Sequence, residues 1–188
     1  MFDRLFSMLD AVNPLSHELR EHLKSILVAR NIKRKEALLH QGQVCEYIYF
    51  VNDGLLRCYY EKHDSQITSW FMKENDVIIS VKSFYTQTPS VENIVALENT
   101  TVLGIHYKDL HQIYVQFPEF NITGRILTTQ YYIQSEERLY SLRKERAKDR
   151  YLSLLQTQPE ILNRVPLKHV ASYLGISLET LSRIRSER

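Results

Sequence analysis

Glu179 and Arg183 stand four residues apart in GISLETLSRIR, near the end of the 188-residue chain. That spacing puts both side chains on one face of a helix. An arginine there can donate two hydrogen bonds to the O6 and N7 of a guanine, and a glutamate one turn earlier can accept from the N4 amine of a cytosine. Leu178 could meet a thymine methyl, Ser182 shares the outward face, and Thr180 falls near the phosphates. Lys168, Arg185 and Arg188 suit phosphate oxygens, contacts that add affinity but carry no sequence information. For each residue alone, a solvated surface charge is the bland alternative.

Base reading requires a rigid element to hold these groups. Leu167 opens a first helix with Pro166 in front of it, where a missing N–H costs nothing. Val170, Leu174, Ile176, Leu181 and Ile184 are spaced to fill the contact between two helices, with Ala171 at the crossing. Gly175 falls at the turn, where positive φ is needed. Ser177 is placed to cap the second helix. This pattern predicts a helix-turn-helix, against the competing account of a purely structural helical hairpin. Charge distribution agrees. Residues 138–188 hold 11 Lys/Arg against 5 Asp/Glu, whereas residues 1–137 hold 13 against 17. A basic tail behind an acidic body points to a polyanionic partner.

Upstream, the reading gives helices at 1–12 and 16–29, with Leu15, Leu19, Leu23, Ile26 and Leu27 on one face of the second. YIYFV, Asn52-Asp53-Gly54 and LLRCYY form a hairpin signature. Short β-type runs follow at 67–72, 76–80, 93–97 and 101–107, which argue for a β-sandwich or jelly roll. A short helix ends near Pro118, and a long one covers roughly 118–142. In it Ile122, Ile126, Thr129, Ile133, Glu137 and Tyr140 alternate at spacings of three and four, a usable seam for a partner helix. Packing of that helix on its own β-domain is the competing account. RKERAKDRYLSLLQ reads as a charged helix with Tyr151, Leu152 and Leu155 on one side. The apolar seam lapses over 141–150, which makes that stretch the expected hinge. The fold class is therefore α+β: an N-terminal jelly-roll or β-roll domain with flanking helices (1–117), a long central helix (118–142) and a C-terminal helix-turn-helix domain (143–188).

Several function classes are disfavoured. No apolar run approaches the ~18 residues of a membrane span, and the charged start MFDRLFSMLD is no secretory signal. Cys45 and Cys58 lack close CxxC spacing and call for no oxidising compartment, so a cytoplasmic setting is expected. No cofactor, metal or enzymatic activity is expected. A cupin-type metal enzyme would need histidines and a carboxylate to converge. His40, His63 and His106 fall on different strands, and no HxH pair exists.

A β-roll, a long helix and a terminal helix-turn-helix together resemble the Crp/Fnr family of bacterial transcription regulators. EALLHQGQVCEYIYFVNDGLLRCYY resembles that family's opening β-roll, and GISLETLSRIR resembles its recognition helix. The resemblance implies double-stranded DNA as partner, homodimerisation along 118–142, and control by a small-molecule effector. Three departures matter. The Gly-Glu and Arg-Ser or Arg-Thr pairs with which the family holds a cyclic nucleotide fall on Ile79-Ser80 and Ser90-Val91. No Lys or Arg occurs from Ser83 through Tyr107, and no Gly from Leu55 through Leu103. A buried phosphate needs a cation or converging amides, so the pocket is degenerate, with Lys82 and Arg125 as the only substitutes in view. The family's N-terminal iron–sulfur cysteines are missing from the first 44 residues, although the histidines leave haem open. The β-hairpin wing that follows the recognition helix in classical members is absent, as in a wing-poor form. The alternative function is a regulatory or scaffold protein that does not touch DNA.

Overall fold

The computed structural model describes residues 1–63 and 65–187. Arg188 lies outside them. Two amphipathic helices open the chain, α1 (Asp3–Val12) and α2 (His17–Ile26). α1 buries Leu5, Phe6 and Leu9, and α2 buries Leu19 and Leu23. The Ser16 hydroxyl caps α2 by accepting from the Leu19 amide at 3.2 Å.

Eight strands then build two four-stranded antiparallel sheets. They are β1 (Val28–Ile32), β2 (Ala37–Leu39), β3 (Tyr47–Asp53), β4 (Leu56–Lys62), β5 (Ser65–Met72), β6 (Val77–Ile78), β7 (Asn93–Ala96) and β8 (Thr100–His106). One sheet has the order β1-β8-β3-β6 and the other β2-β7-β4-β5. The jelly-roll expectation holds. β1 and β2 lack a readable sequence pattern: four of the five residues of β1 are exposed, so the apolar alternation that marks a strand is missing.

The hairpin expected at Asn52-Asp53-Gly54 does not form. β3 pairs with β8 and β6, whereas β4 pairs with β5 and β7. The turn instead carries the chain from one sheet to the other. Gly54 has φ +98°, and a Cβ there would lie 2.5–2.8 Å from Thr100 and Asn99. The freed backbone donors are met by side chains of neighbouring loops: the Gly54 amide donates to Glu74 Oε1 at 2.9 Å and the Leu55 amide to Thr100 Oγ1 at 3.2 Å. Asp-Gly supplies the bend in either case, but which strand lies alongside is a tertiary choice.

Short helix α3 (Val81–Thr86) separates β6 from β7, and α4 (Tyr107–Gln116) follows β8. The long helix α5 (Phe120–Lys144) comes next. It stops at Glu145 and Arg146, both extended, so the charged segment is two helices and not one. After the break come α6 (Ala147–Thr157), α7 (Pro159–Arg164), α8 (Leu167–Leu174) and α9 (Leu178–Ser186). Within α6 the inward residues are Tyr151 and Leu154, with Leu152 and Leu155 half-buried beside them.

Two apolar cores result. The larger fills the β-roll and its contacts with α1, α2, α4 and the start of α5. In the second, Leu55 and Phe71 of the β-roll join Tyr151, Leu154, Ile161, Val170 and Leu181 of the terminal helices. Each large side chain fully buried this way contributes about 1.5–3 kcal/mol, so the terminal helices are docked on the β-roll.

Candidate nucleic-acid interface

The geometry of α8 and α9 follows from a few local contacts. Gly175 ends α8 in the left-handed region at φ +66°, and the Ile176 amide reaches back to the Ala171 carbonyl at 3.0 Å. This closes the orphan carbonyls of α8 within one tight turn. The Ser177 hydroxyl accepts from the Thr180 amide at 3.1 Å and starts α9. Val170, Ala171, Leu174, Leu181 and Ile184 are all buried between the two helices and α6 and α7.

With Leu181 and Ile184 inward, the rest of α9 is set by helical periodicity. Leu178, Glu179, Ser182, Arg183 and Arg185 are exposed, and so are Ser177 and Lys168. Leu178, Glu179, Ser182 and Arg183 make one continuous solvent face. Thr180 sits at its edge, half-buried, with its hydroxyl 3.2 Å from that of Ser177. The Glu179 carboxyl is held below the usual carboxylate range by its own backbone amide and by the Ser177 hydroxyl. It is therefore an anionic acceptor at neutral pH. His169, half-buried on α8 beside Arg57 and Lys168, is pushed down to about 4, mainly by burial, and is neutral.

The helix pair is tied to the rest of the molecule by three arginines. Arg138 on α5 donates from Nη2 to the Tyr173 carbonyl at 2.8 Å, with its guanidinium 3.6 Å from the Tyr173 ring centroid and 5.7 Å from that of Trp70. Arg150 donates from Nε to the Leu174 carbonyl at 2.9 Å, capping α8. Arg164 on α7 binds Glu74 with two nitrogens, at 2.9 and 2.8 Å, and also pairs with Glu98. Ser172 accepts from the Thr68 amide at 2.9 Å, so α8 lies directly on β5. Sequence reasoning named none of these groups. A basic residue surrounded by helix-face apolar positions is the only local hint, and it does not say which partner it meets.

The effector positions separate into two groups. Ser80 and Ser90 are buried together, their hydroxyl oxygens 2.9 Å apart, and Ser80 donates to Glu92 Oε2 at 3.2 Å. Ser69 donates to the other Glu92 oxygen at 3.3 Å. The Glu92 carboxylate is thus the hydrogen-bond acceptor of this serine cluster. Ile79 is half-buried, whereas Lys82, Val91 and Arg125 are exposed and bring no cation to that cluster. Burial pushes the Cys45 and Cys58 thiols up. Among the described residues no three His, Cys, Asp or Glu side chains converge as metal ligands. His106 instead caps α4, accepting from the Lys108 amide at 3.2 Å. Among the described residues no helix is long and apolar enough to cross a membrane.

α5 presents its outer face to solvent. Ile122, Ile133 and Tyr140 are 43%, 50% and 64% exposed. Thr129 and Glu137 are also exposed, and Ile126 is half-buried. The opposite face carries buried Thr123 and half-buried Leu127, Tyr131 and Arg138. The expected seam is thus a largely exposed, partly polar stripe, and packing on its own β-roll uses the other side of the helix.

Residues 29–117 match the family of the cyclic nucleotide-binding domain. The transcriptional regulatory protein Btr of Bordetella pertussis is 23% identical over 167 residues, spanning 82% of this chain and 68% of that protein. Among solved structures, FixK2 from Bradyrhizobium japonicum superposes with a TM-score of 0.74 at 18% identity, over 86% of this chain and 84% of its own. The catabolite activator protein of Thermus thermophilus does so with a TM-score of 0.60 at 19% identity, over 96% and 85%.

Proposed function

We propose, from the match of residues 29–117 to the cyclic nucleotide-binding domain family and from the Crp/Fnr fold, that the chain is a homodimeric, sequence-specific DNA-binding transcription regulator acting in the cytoplasm. Its working parts are a sensor β-roll at 1–117, a dimerisation helix at 118–142 and a helix-turn-helix reader at 143–188. The observation that carries the reading is the solvent face of α9. Leu178, Glu179, Ser182 and Arg183 lie side by side on a rod whose other face is locked by Leu181 and Ile184. A recognition helix needs that combination of an immobile backbone and an open polar face.

Arg183 reads guanine and Glu179 reads cytosine, Lys168 and Arg185 hold phosphates, and Ser177 and Thr180 fix the helix start. Dimerisation is supported by the exposed Ile122, Ile133 and Tyr140 on one face of α5, because apolar side chains grouped on a helix surface mark a contact surface. Two copies joined there present two α9 helices to successive half-sites. The Arg138 clamp on Tyr173 makes α8 follow any rotation of α5, with the break at Glu145–Arg146 as the hinge. The effector is not a cyclic nucleotide, since Glu92 opposes a phosphate and no cation compensates it. The relatives are transcription regulators, which agrees with a non-enzymatic role.

Selection of a preferred operator from random duplexes, followed by anisotropy titrations in rising salt, tests the reading. Affinity for random DNA is expected to fall steeply with salt as counterions are released. Arg183→Ala should lose about 1–3 kcal/mol at the selected site while keeping most non-specific binding. Equal loss at both, or no binding to either, overturns base reading by α9.

A further inference from the structure

A cavity of about 320 Å³ lies between the helices and the β-roll. Its floor is the helix-facing side of one sheet, Ile48 and Phe50 of β3 with Leu103 and Ile105 of β8. Trp70 and Met72 of β5 close one end, and α5 covers it with Leu127, Thr128 and Tyr131. Strand alternation puts the Tyr47 and Tyr49 rings over Gly104 on the opposite side of the same sheet, with Tyr49 still contributing to the cavity wall. Ser80, Ser90 and Glu92, the positions of the degenerate nucleotide cluster, do not line the cavity.

Among the described residues no Asp, Glu, Lys or Arg contributes to its wall. Any ionised ligand there would forfeit its hydration without a counter-charge, a cost of several kcal/mol. The polar side-chain groups of the lining residues are hydroxyls and the Trp70 indole N–H. Tyr131 Oη accepts from the Val77 amide at 2.7 Å, so its own proton is free to be donated. Tyr114, whose hydroxyl lies over Gly124, is pushed up to about 12, chiefly by burial, and stays a neutral donor. A cavity of this volume is at the small end of the ~300–1,000 Å³ range of ligand sites, enough for one or two fused rings.

We infer that this cavity, and not the nucleotide cluster, is the effector site, and that it takes an uncharged, largely apolar ring compound with an acceptor atom facing Tyr131 and Tyr114. The inference rests on the regulator reading only for the word effector; binding itself does not. Trp70, the single tryptophan of the chain, lines the cavity on one side and meets the Arg138 guanidinium, which in turn lies on Tyr173 of α8. A ring seated against Trp70 therefore acts on the same clamp that positions the helix pair.

Trp70 also supplies the assay. The full chain is titrated with neutral N-phenyl-1-naphthylamine, and separately with cyclic AMP, while tryptophan emission is followed. Saturable quenching by the naphthylamine, none by cyclic AMP, is expected. Thr128→Phe, which adds a ring at the α5 wall from an exposed position, should weaken the naphthylamine at least tenfold, and Ile79→Phe serves the same purpose if that variant is poorly folded. Val115→Phe, 80% exposed and not part of the wall, should leave it unchanged. Quenching that never saturates, that survives both filling variants, or that cyclic AMP reproduces overturns the proposal. All these outcomes are read without DNA, so failure here is distinct from failure of base reading.

Discussion

The Arg164 pair with Glu74 gives the sharpest quantitative test of how the terminal helices are held on the β-roll. Hydrogen bonds from Arg164 and from the Gly54 amide outweigh burial and bring the Glu74 carboxyl from 4.5 down to about 2. A displacement of that size corresponds to about 3 kcal/mol favouring the charged form. Both side chains keep nearly a quarter of their surface in solvent, and screening brings the expected coupling to about 2 kcal/mol. A double-mutant cycle of Arg164→Met and Glu74→Gln, read by urea unfolding near pH 7, should return that coupling. The sign with pH follows from the lowered carboxyl. Its contribution is complete above about pH 4.5, the unfolded value, and disappears as pH falls toward 2. His169 acts in a separate window: its lowered value makes stability decline between about 6.5 and 4, and both members of the cycle share that decline. A coupling under about 0.5 kcal/mol near pH 7, or one unchanged near pH 3, would refute the claim that this ion pair holds α7 to the β5–β6 loop.

Other expectations rest on separate contacts. Ile133→Asp with Tyr140→Asp puts charge on the exposed stripe of α5 and should convert a dimer to monomers in light scattering, with unchanged circular dichroism per residue. Leu181→Ala, at a site with no solvent exposure, should cost about 2–5 kcal/mol by cavity formation and lower the melting temperature measurably. Arg57 is 2% exposed, and its Nη2 has no partner among the described residues. Replacing such an uncompensated buried charge by Met should be neutral or stabilising by about 1–3 kcal/mol, checked by calorimetry; a clear loss would mean that its bonds to Thr68 and Gln66 outweigh desolvation.

Glycine, serine and apolar spacing were sufficient to read the terminal helix pair from sequence. The cap at Ser177, the left-handed Gly175 and the inward pair Leu181 and Ile184 are all relations within four to ten residues, and helix geometry converts such spacing directly into facing. The facing of the residues along α5 was legible for the same reason. Tertiary structure decided what pairs across distance. Gly54 bends the chain wherever it is, but only the packed β-roll sends it to the second sheet instead of back along the first. Arg138 meets Tyr173 across 35 residues, Arg164 meets Glu74 across 90, and Ser172 meets Thr68 across 104. The cavity under α5 draws its walls from α1, α3, α4, α5 and both sheets. A side chain's own neighbourhood in sequence fixes its local conformation. Its partner is fixed by which surfaces the burial of apolar area brings face to face, and that is a property of the whole chain.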